Sequence, residues 1–257
     1  MIPRAQIIEW SLTTPWPSED QVEQDLILSR LIVDIANHER LSAELVFRGG
    51  TCLHKLHIST PRRYSEDLDY VRRSATAIGP VFDDLRMIAE ELNLAVNTDV
   101  AQVPKLFMRG TFESGTPFRI KIEMNTHERS PARPHQSRQF EVDSTWYKGR
   151  AAVLTFDSHE LVATKIRALY QRSKGRDLFD LWLALNELGL DGSEIAACFE
   201  PYRPEGYSRK LAEANLNEKL QDHGFRNDLA PLVAAWPEKY DLDNAADQIV
   251  DEVLAHI

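Results

Sequence analysis

Cysteine is nearly absent from this 257-residue chain, glycine is sparse at 11, and no long apolar run occurs. The two cysteines, Cys52 and Cys198, stand far apart in sequence, which excludes a disulfide framework. Without about 18 consecutive apolar residues no membrane span is expected. The start MIPRAQIIEW lacks the charged lead, apolar stretch and small-residue cleavage site of a secretory signal, so a cytoplasmic protein with free thiols is expected. P-loop, Rossmann and Gly-x-Ser-x-Gly fingerprints are missing too, and with them those routes to nucleotide binding or acyl transfer. Cys52, His54 and His57 crowd one short turn and offer zinc no tetrahedral fourth ligand.

Basic residues are scarce in one part of the chain only. The formal net charge is −10, yet residues 177–257 carry 17 acidic and 6 basic side chains against 23 and 24 in residues 1–176. Between Lys165 and Arg176 lie five basic residues and no acid, and Arg62, Arg63, Arg72 and Arg73 form a second basic group. Local patches of this kind can hold phosphate on an acidic protein, because at physiological salt the field decays over about 8 Å.

What is present is concentrated between Val46 and Val71, VFRGGTCLHKLHISTPRRYSEDLDYV. A short strand over 44–48 runs into Gly49-Gly50, and Thr51–His57 reads as a helix opening from the turn. Backbone N–H groups and the positive helix end would then face whatever lies above, a common way to hold phosphate. Asp67 and Asp69 follow at period two, so an extended chain projects both carboxylates to one side, where they can share a divalent metal. Ser65 falls on the same side.

Strand, Gly-Gly-Thr, helix and Arg63-x-Ser65-x-Asp67-x-Asp69, followed by HELVATKIRALYQRSKGRDLFDLWLAL from His159, resemble the AbiEii/AbiGii (MenT-like) branch of the nucleotidyltransferase toxins over roughly residues 1–190. The resemblance implies Asp67 and Asp69 as catalytic metal ligands, with Glu123 as a third carboxylate. It implies Lys165, Asp177 and Asp180 as further catalytic groups, and Gly49, Gly50, Thr51, Lys55, Ser65 and Arg176 as nucleotide contacts. Mg²⁺ or Mn²⁺ would be the cofactor and an NTP the substrate. The acceptor would be RNA, with the 3′ end of tRNA foremost, and the partner a cognate antitoxin encoded nearby, in a toxin–antitoxin or phage-defence pair. A small-molecule or protein hydroxyl as acceptor, and a nucleotide-binding module without catalysis, are the alternatives.

Patterning predicts an α/β (α+β) fold, a nucleotidyltransferase-like mixed sheet flanked by helices over 1–156, with an all-helical part over 157–257. Ser18 and Gln21 make a capping box before a helix to about His38. Pro80 begins another. Strands are expected over 94–98, 105–112 and 117–125, the last two joined through Glu113–Thr116, while 126–150 reads as a loop-rich connection. Phe118, Ile120, Ile122 and Met124 alternate with Arg119, Lys121 and Glu123, so Glu123 could equally be a solvent-facing acid paired with Lys121. Asp157 and Glu160 suggest a second capping box, and a helix over 177–188 stops at Gly189. Helical patterns continue at about 192–200, 207–221, 225–236 and 243–256.

Overall fold

The computed structural model describes residues 2–257. Its first helices are α1 (Arg4–Ser11) and α2 (Glu19–Asn37). Both halves of the capping box at α2 form: Ser18 Oγ accepts from the Gln21 N–H and Gln21 Oε1 from the Ser18 N–H, each at 3.2 Å. Leu26, Leu28, Leu31, Ile32 and Val33 of α2 are fully buried, each contributing about 1.5–3 kcal/mol. A short α3 (Glu39–Glu44) leads into β1 (Leu45–Arg48) and α4 (Gly49–Cys52), which continues as a π-turn through Leu53–His57, closed by Ile58 N–H to the Leu53 carbonyl at 3.1 Å.

Next come β2 (Leu68–Arg72), α5 (Gly79–Glu91), β3 (Ala95–Asp99), β4 (Lys105–Thr111), β5 (Pro117–Asn125), β6 (Gln136–Asp143) and β7 (Lys148–Thr155). They form one mixed sheet in the order β3-β4-β5-β2-β1-β7-β6. β2 and β5 run parallel, as do β1 and β7. Leu106, Met108, Ile120, Ile122 and Met124 are wholly buried on one side of the sheet, as period-two alternation requires. The mixed α/β sheet expected from sequence is present.

Two expectations need correction. Residues 126–150 are not mainly loop: β6 lies within them, β7 begins there, and the two pair antiparallel from Gln136↔Thr155 to Asp143↔Lys148. β6 is an edge strand whose inward side carries Gln136 and Arg138 as well as Phe140 and Val142, so its apolar signal is thin. The strand expected to carry residues 63–69 begins only at Leu68. Arg63 and Tyr64 are buried in the approach to it.

Contacts divide the chain into two compact units. One comprises residues 1–129 and 135–156, the other 130–134 and 157–257. The second is helical among its described residues: α6 (Ser158–Gln171), α7 (Gly175–Asn186), α8 (Gly192–Ala197), α9 (Arg209–Leu220), α10 (His223–Asn227) and α11 (Leu242–Glu252). α10 ends at Asn227, well short of the expected 236. The box at α6 is half formed. Asp157 caps the His159 N–H at 3.0 Å, but the buried Glu160 instead accepts from the N–H groups of Ala132 (2.6 Å) and Arg133 (2.9 Å) and from Tyr202 Oη (2.6 Å). Glu160 thereby ties residues 130–134 to the helical unit. No helix of the described residues is long and apolar enough to cross a membrane.

Candidate active site

In the first unit the Gly-Gly-Thr turn and the aspartates meet at the ends of β1 and β2. Gly49 holds φ at +85°, and a Cβ there would overlap Asp69 Oδ2. Only glycine fits both the conformation and the space. Thr51, buried, donates from Oγ1 to the Asp67 carbonyl at 2.5 Å and lies 2.9 Å from Ser65 Oγ. Thr51 and Ser65 thus anchor the chain that delivers Asp67 to the start of β2.

Strand register supplies the rest. Asp69 aligns with Glu123 across the parallel β2–β5 pair and with Arg48 across β1–β2. Glu123, left open between a site acid and a surface acid, therefore stands on the Asp69 side of the sheet. Lys121 Nζ lies 3.1 Å from Asp67 Oδ2 and 3.4 Å from Glu123 Oε2, and Lys105 Nζ 3.7 Å from the same Glu123 oxygen. Arg48 is paired with Glu128. Lys121 was legible only as a partner for Glu123. Its place two residues earlier on the same strand face is the signal that could have marked it as a site residue.

The electrostatics follow from this crowding. Desolvation raises the pKa of Asp67 and of Asp69, opposed for both by Lys121 and, for Asp69, also by Arg48. Desolvation pulls Lys121 down, but Asp67, Asp69 and Glu123 together outweigh it and its pKa is raised. Carboxylates held at such a cost, around the ammonium groups of Lys121 and Lys105, form an all-oxygen donor set that fits a hard divalent cation. Among the described residues no three His, Cys, Asp or Glu side chains converge as a ready-made metal cage. Mg²⁺ is commonly held by one or two carboxylates with substrate phosphates completing the shell, and that arrangement suits this donor set. Cys52 belongs to the core: its thiol lies 3.0 Å from Thr155 Oγ1, and burial pushes its pKa up to about 12.

Lys55 points elsewhere in the same unit. Its Nζ donates to Asp25 Oδ1 at 2.6 Å and Ser29 Oγ at 3.0 Å, at the wall of a cavity of about 150 Å³ that Trp10, Trp16, Thr51 and Ser65 also line.

In the second unit Lys165 on α6 is buried between the fully buried aspartates of α7. Its Nζ lies 2.7 Å from Asp180 Oδ2 and 3.5 Å from Asp177 Oδ1. Arg172 grips Asp177 with Nε at 2.6 Å and Nη2 at 2.8 Å. Neither aspartate caps α7, whose N-cap is Lys174 without a side-chain bond. Lys174 and Arg176 both pair with Asp228, each at 3.4 Å. Three of the five basic residues in 165–176 are therefore held by their own neighbours, in addition to Lys165. In the first unit Arg72 is likewise buried against Glu44.

A family model described as the nucleotidyl transferase AbiEii toxin of type IV toxin–antitoxin systems matches residues 30–252. Among solved structures, MenT4, a nucleotidyltransferase toxin from Mycobacterium tuberculosis H37Rv, is 16% identical with a TM-score of 0.50, over 96% of this chain and 99% of that one. An antigenic nucleotidyltransferase-like protein from Paracoccidioides brasiliensis is also 16% identical with a TM-score of 0.41, over 83% and 94% of the two chains. A search of curated proteins by sequence returns no match. The structural likeness concerns the fold, whereas the family model spans most of the chain and includes the Gly-Gly-Thr turn, both aspartates, Lys165 and the α7 pair. The chain belongs to the AbiEii nucleotidyltransferase toxin family.

Proposed function

We propose that the protein transfers a nucleoside monophosphate from an NTP to an RNA hydroxyl, foremost the 3′ end of tRNA, and is the toxin of a pair neutralised by a nearby-encoded antitoxin, with a role in phage defence. The observation that carries this reading is the alignment of Asp69 with Glu123 beside Asp67, which brings three carboxylates together around Lys121. Asp67 and Asp69, with Glu123 alongside, would hold Mg²⁺ or Mn²⁺. When bound, such an ion neutralises phosphate charge and lowers the pKa of the attacking hydroxyl.

The chain's own groups do the remaining work. Backbone N–H groups of Gly49–Thr51 at the start of α4 hold phosphate oxygens, with Thr51 and Ser65 fixing the turn against Asp67. The acceptor hydroxyl gives its proton to solvent as its oxygen bonds to the α-phosphorus, while the bond to the pyrophosphate oxygen breaks and pyrophosphate leaves with the electron pair. Lys165, oriented by Asp180 and Asp177, offsets charge growing on that leaving group. Lys121, between Asp67 and Glu123, offsets the repulsion of the carboxylates.

The pairing of Arg172, Lys174 and Arg176 with Asp177 and Asp228 favours, taken alone, a small hydroxyl acceptor. Incubation with each labelled NTP in turn and total RNA, with Mg²⁺ or with EDTA, separates the readings. Label entering an RNA band only with Mg²⁺ is the expected result. NTP consumption with no labelled RNA would move the acceptor to a small molecule or protein, and no consumption of any NTP would overturn catalysis.

A further inference from the structure

The side of the sheet that bears Asp69 and Glu123 continues outward over β5, β4 and β3, and strand register orders its side chains into rows. The row level with Asp69 holds Glu123, Lys105 and Asp99; the next holds Lys121, Phe107 and Asn97; the outermost holds Arg119, Arg109 and Ala95. Two residues along a strand cover about 7 Å, so the outermost row stands about 13 Å from the carboxylates.

Arg109 and Arg119 lie directly opposite one another across β4–β5, and both are exposed. Like charges so placed destabilise a sheet. Most other arginines of the chain are in ion pairs, but neither of these has an acidic partner among the described residues. Arg119 stacks its guanidinium over the Phe107 ring at 5.0 Å from the centroid, leaving an aromatic partly exposed on a polar face. Two unpaired guanidinium groups, an aromatic platform and two lysines, graded toward a carboxylate site, match what a single-stranded nucleic acid asks of a protein: phosphate contacts and a ring on which a base stacks.

We infer that the exposed face of β3–β4–β5 is the track along which the acceptor RNA strand reaches the carboxylates, with Arg109 and Arg119 on its phosphates and Phe107 under a base. This rests on the RNA-acceptor reading and supplies the contacts that the internally paired 165–176 segment does not.

The test is fluorescence anisotropy of a 5′-labelled single-stranded RNA with the full chain, repeated between about 50 and 200 mM salt. Arg109→Gln/Arg119→Gln should weaken binding roughly tenfold at low salt and flatten the plot of log K against log salt by about 1.4, as loss of two phosphate contacts on a single strand requires. The melting temperature should hold or rise, since opposed charges are removed. Phe107→Ala should weaken binding with the slope preserved. Arg209→Gln/Lys210→Gln, on an exposed helix of the other unit, should leave the slope as in wild type. If the wild type binds RNA and the Arg109/Arg119 variant keeps its slope, or if the Arg209/Lys210 variant loses as much, the track is overturned and the RNA reading survives. If the wild type binds NTP and no RNA, both fall.

Discussion

A methyl group on Gly49 would occupy the space of Asp69 Oδ2. The Gly-Gly-Thr turn and the Asp69 carboxylate are thus in van der Waals contact, and the turn's geometry sets where the carboxylate stands. Gly115, in the β4–β5 hairpin, has nearly the same conformation at φ +87° but open space around it.

Comparing the two glycines isolates the contact from the strain. Gly115→Ala should cost about 1–2 kcal/mol, the penalty of a left-handed L-residue, with turnover intact. Gly49→Ala adds a clash that displaces Asp69, and should lower nucleotidyl transfer at least a hundredfold. Urea denaturation and transfer assays on both variants decide it; wild-type turnover in Gly49→Ala would detach the turn from the chemistry.

Much of this arrangement was legible because it is local. The Gly-Gly break, the period-two aspartates and the alternation of Phe118, Ile120, Ile122 and Met124 each depend on a few neighbouring residues. Register between distant strands is not local. Nothing in the sequence near Glu123 states that it pairs with Asp69, nor that Lys121 bridges toward Asp67. β6 escaped notice because an edge strand buries little, and Glu160 was read as a capping residue because three residues from Asp157 is the capping spacing. Its true partners, the backbone of Ala132 and Arg133, lie in a segment that only the folded chain brings near.

Asp67→Asn and Asp69→Asn should abolish transfer without loss of stability. A carboxyl whose pKa is raised on folding binds its proton more tightly in the folded state, so ionisation at neutral pH opposes folding, and the burden is present above the unfolded pKa. A neutral amide removes it. Melting temperatures equal to or above wild type are expected in metal-free buffer; a marked fall in both variants would make the pair structural.

Glu160→Ala should loosen residues 130–134 specifically. The buried carboxylate accepts three hydrogen bonds, and bonds to a charged group contribute about 1.5–3 kcal/mol each. Limited trypsin digestion should cut after Arg129 faster than in wild type, with an overall destabilisation of a few kcal/mol. Unchanged digestion at Arg129 would show that Arg133, through Asp157 and Glu194, is sufficient to hold the segment.

Lys165 poses the sharper question, since its burial allows either a structural or a chemical role. Lys165→Met keeps the apolar stem and removes the charge, leaving Asp180 without its 2.7 Å partner while Asp177 retains Arg172. Removing the ammonium from between two buried carboxylates should cost about 3–5 kcal/mol. Loss of activity in this variant alone therefore decides nothing. Lys165→Met/Asp180→Asn removes both charges and should recover much of that stability, with a coupling of at least about 1 kcal/mol in the double-mutant cycle. If Lys165 offsets charge on the triphosphate, the refolded double variant still binds NTP weakly and turns over slowly. If the ion pair serves packing alone, nucleotide affinity and turnover return with the melting temperature, and the catalytic assignment of Lys165 is lost.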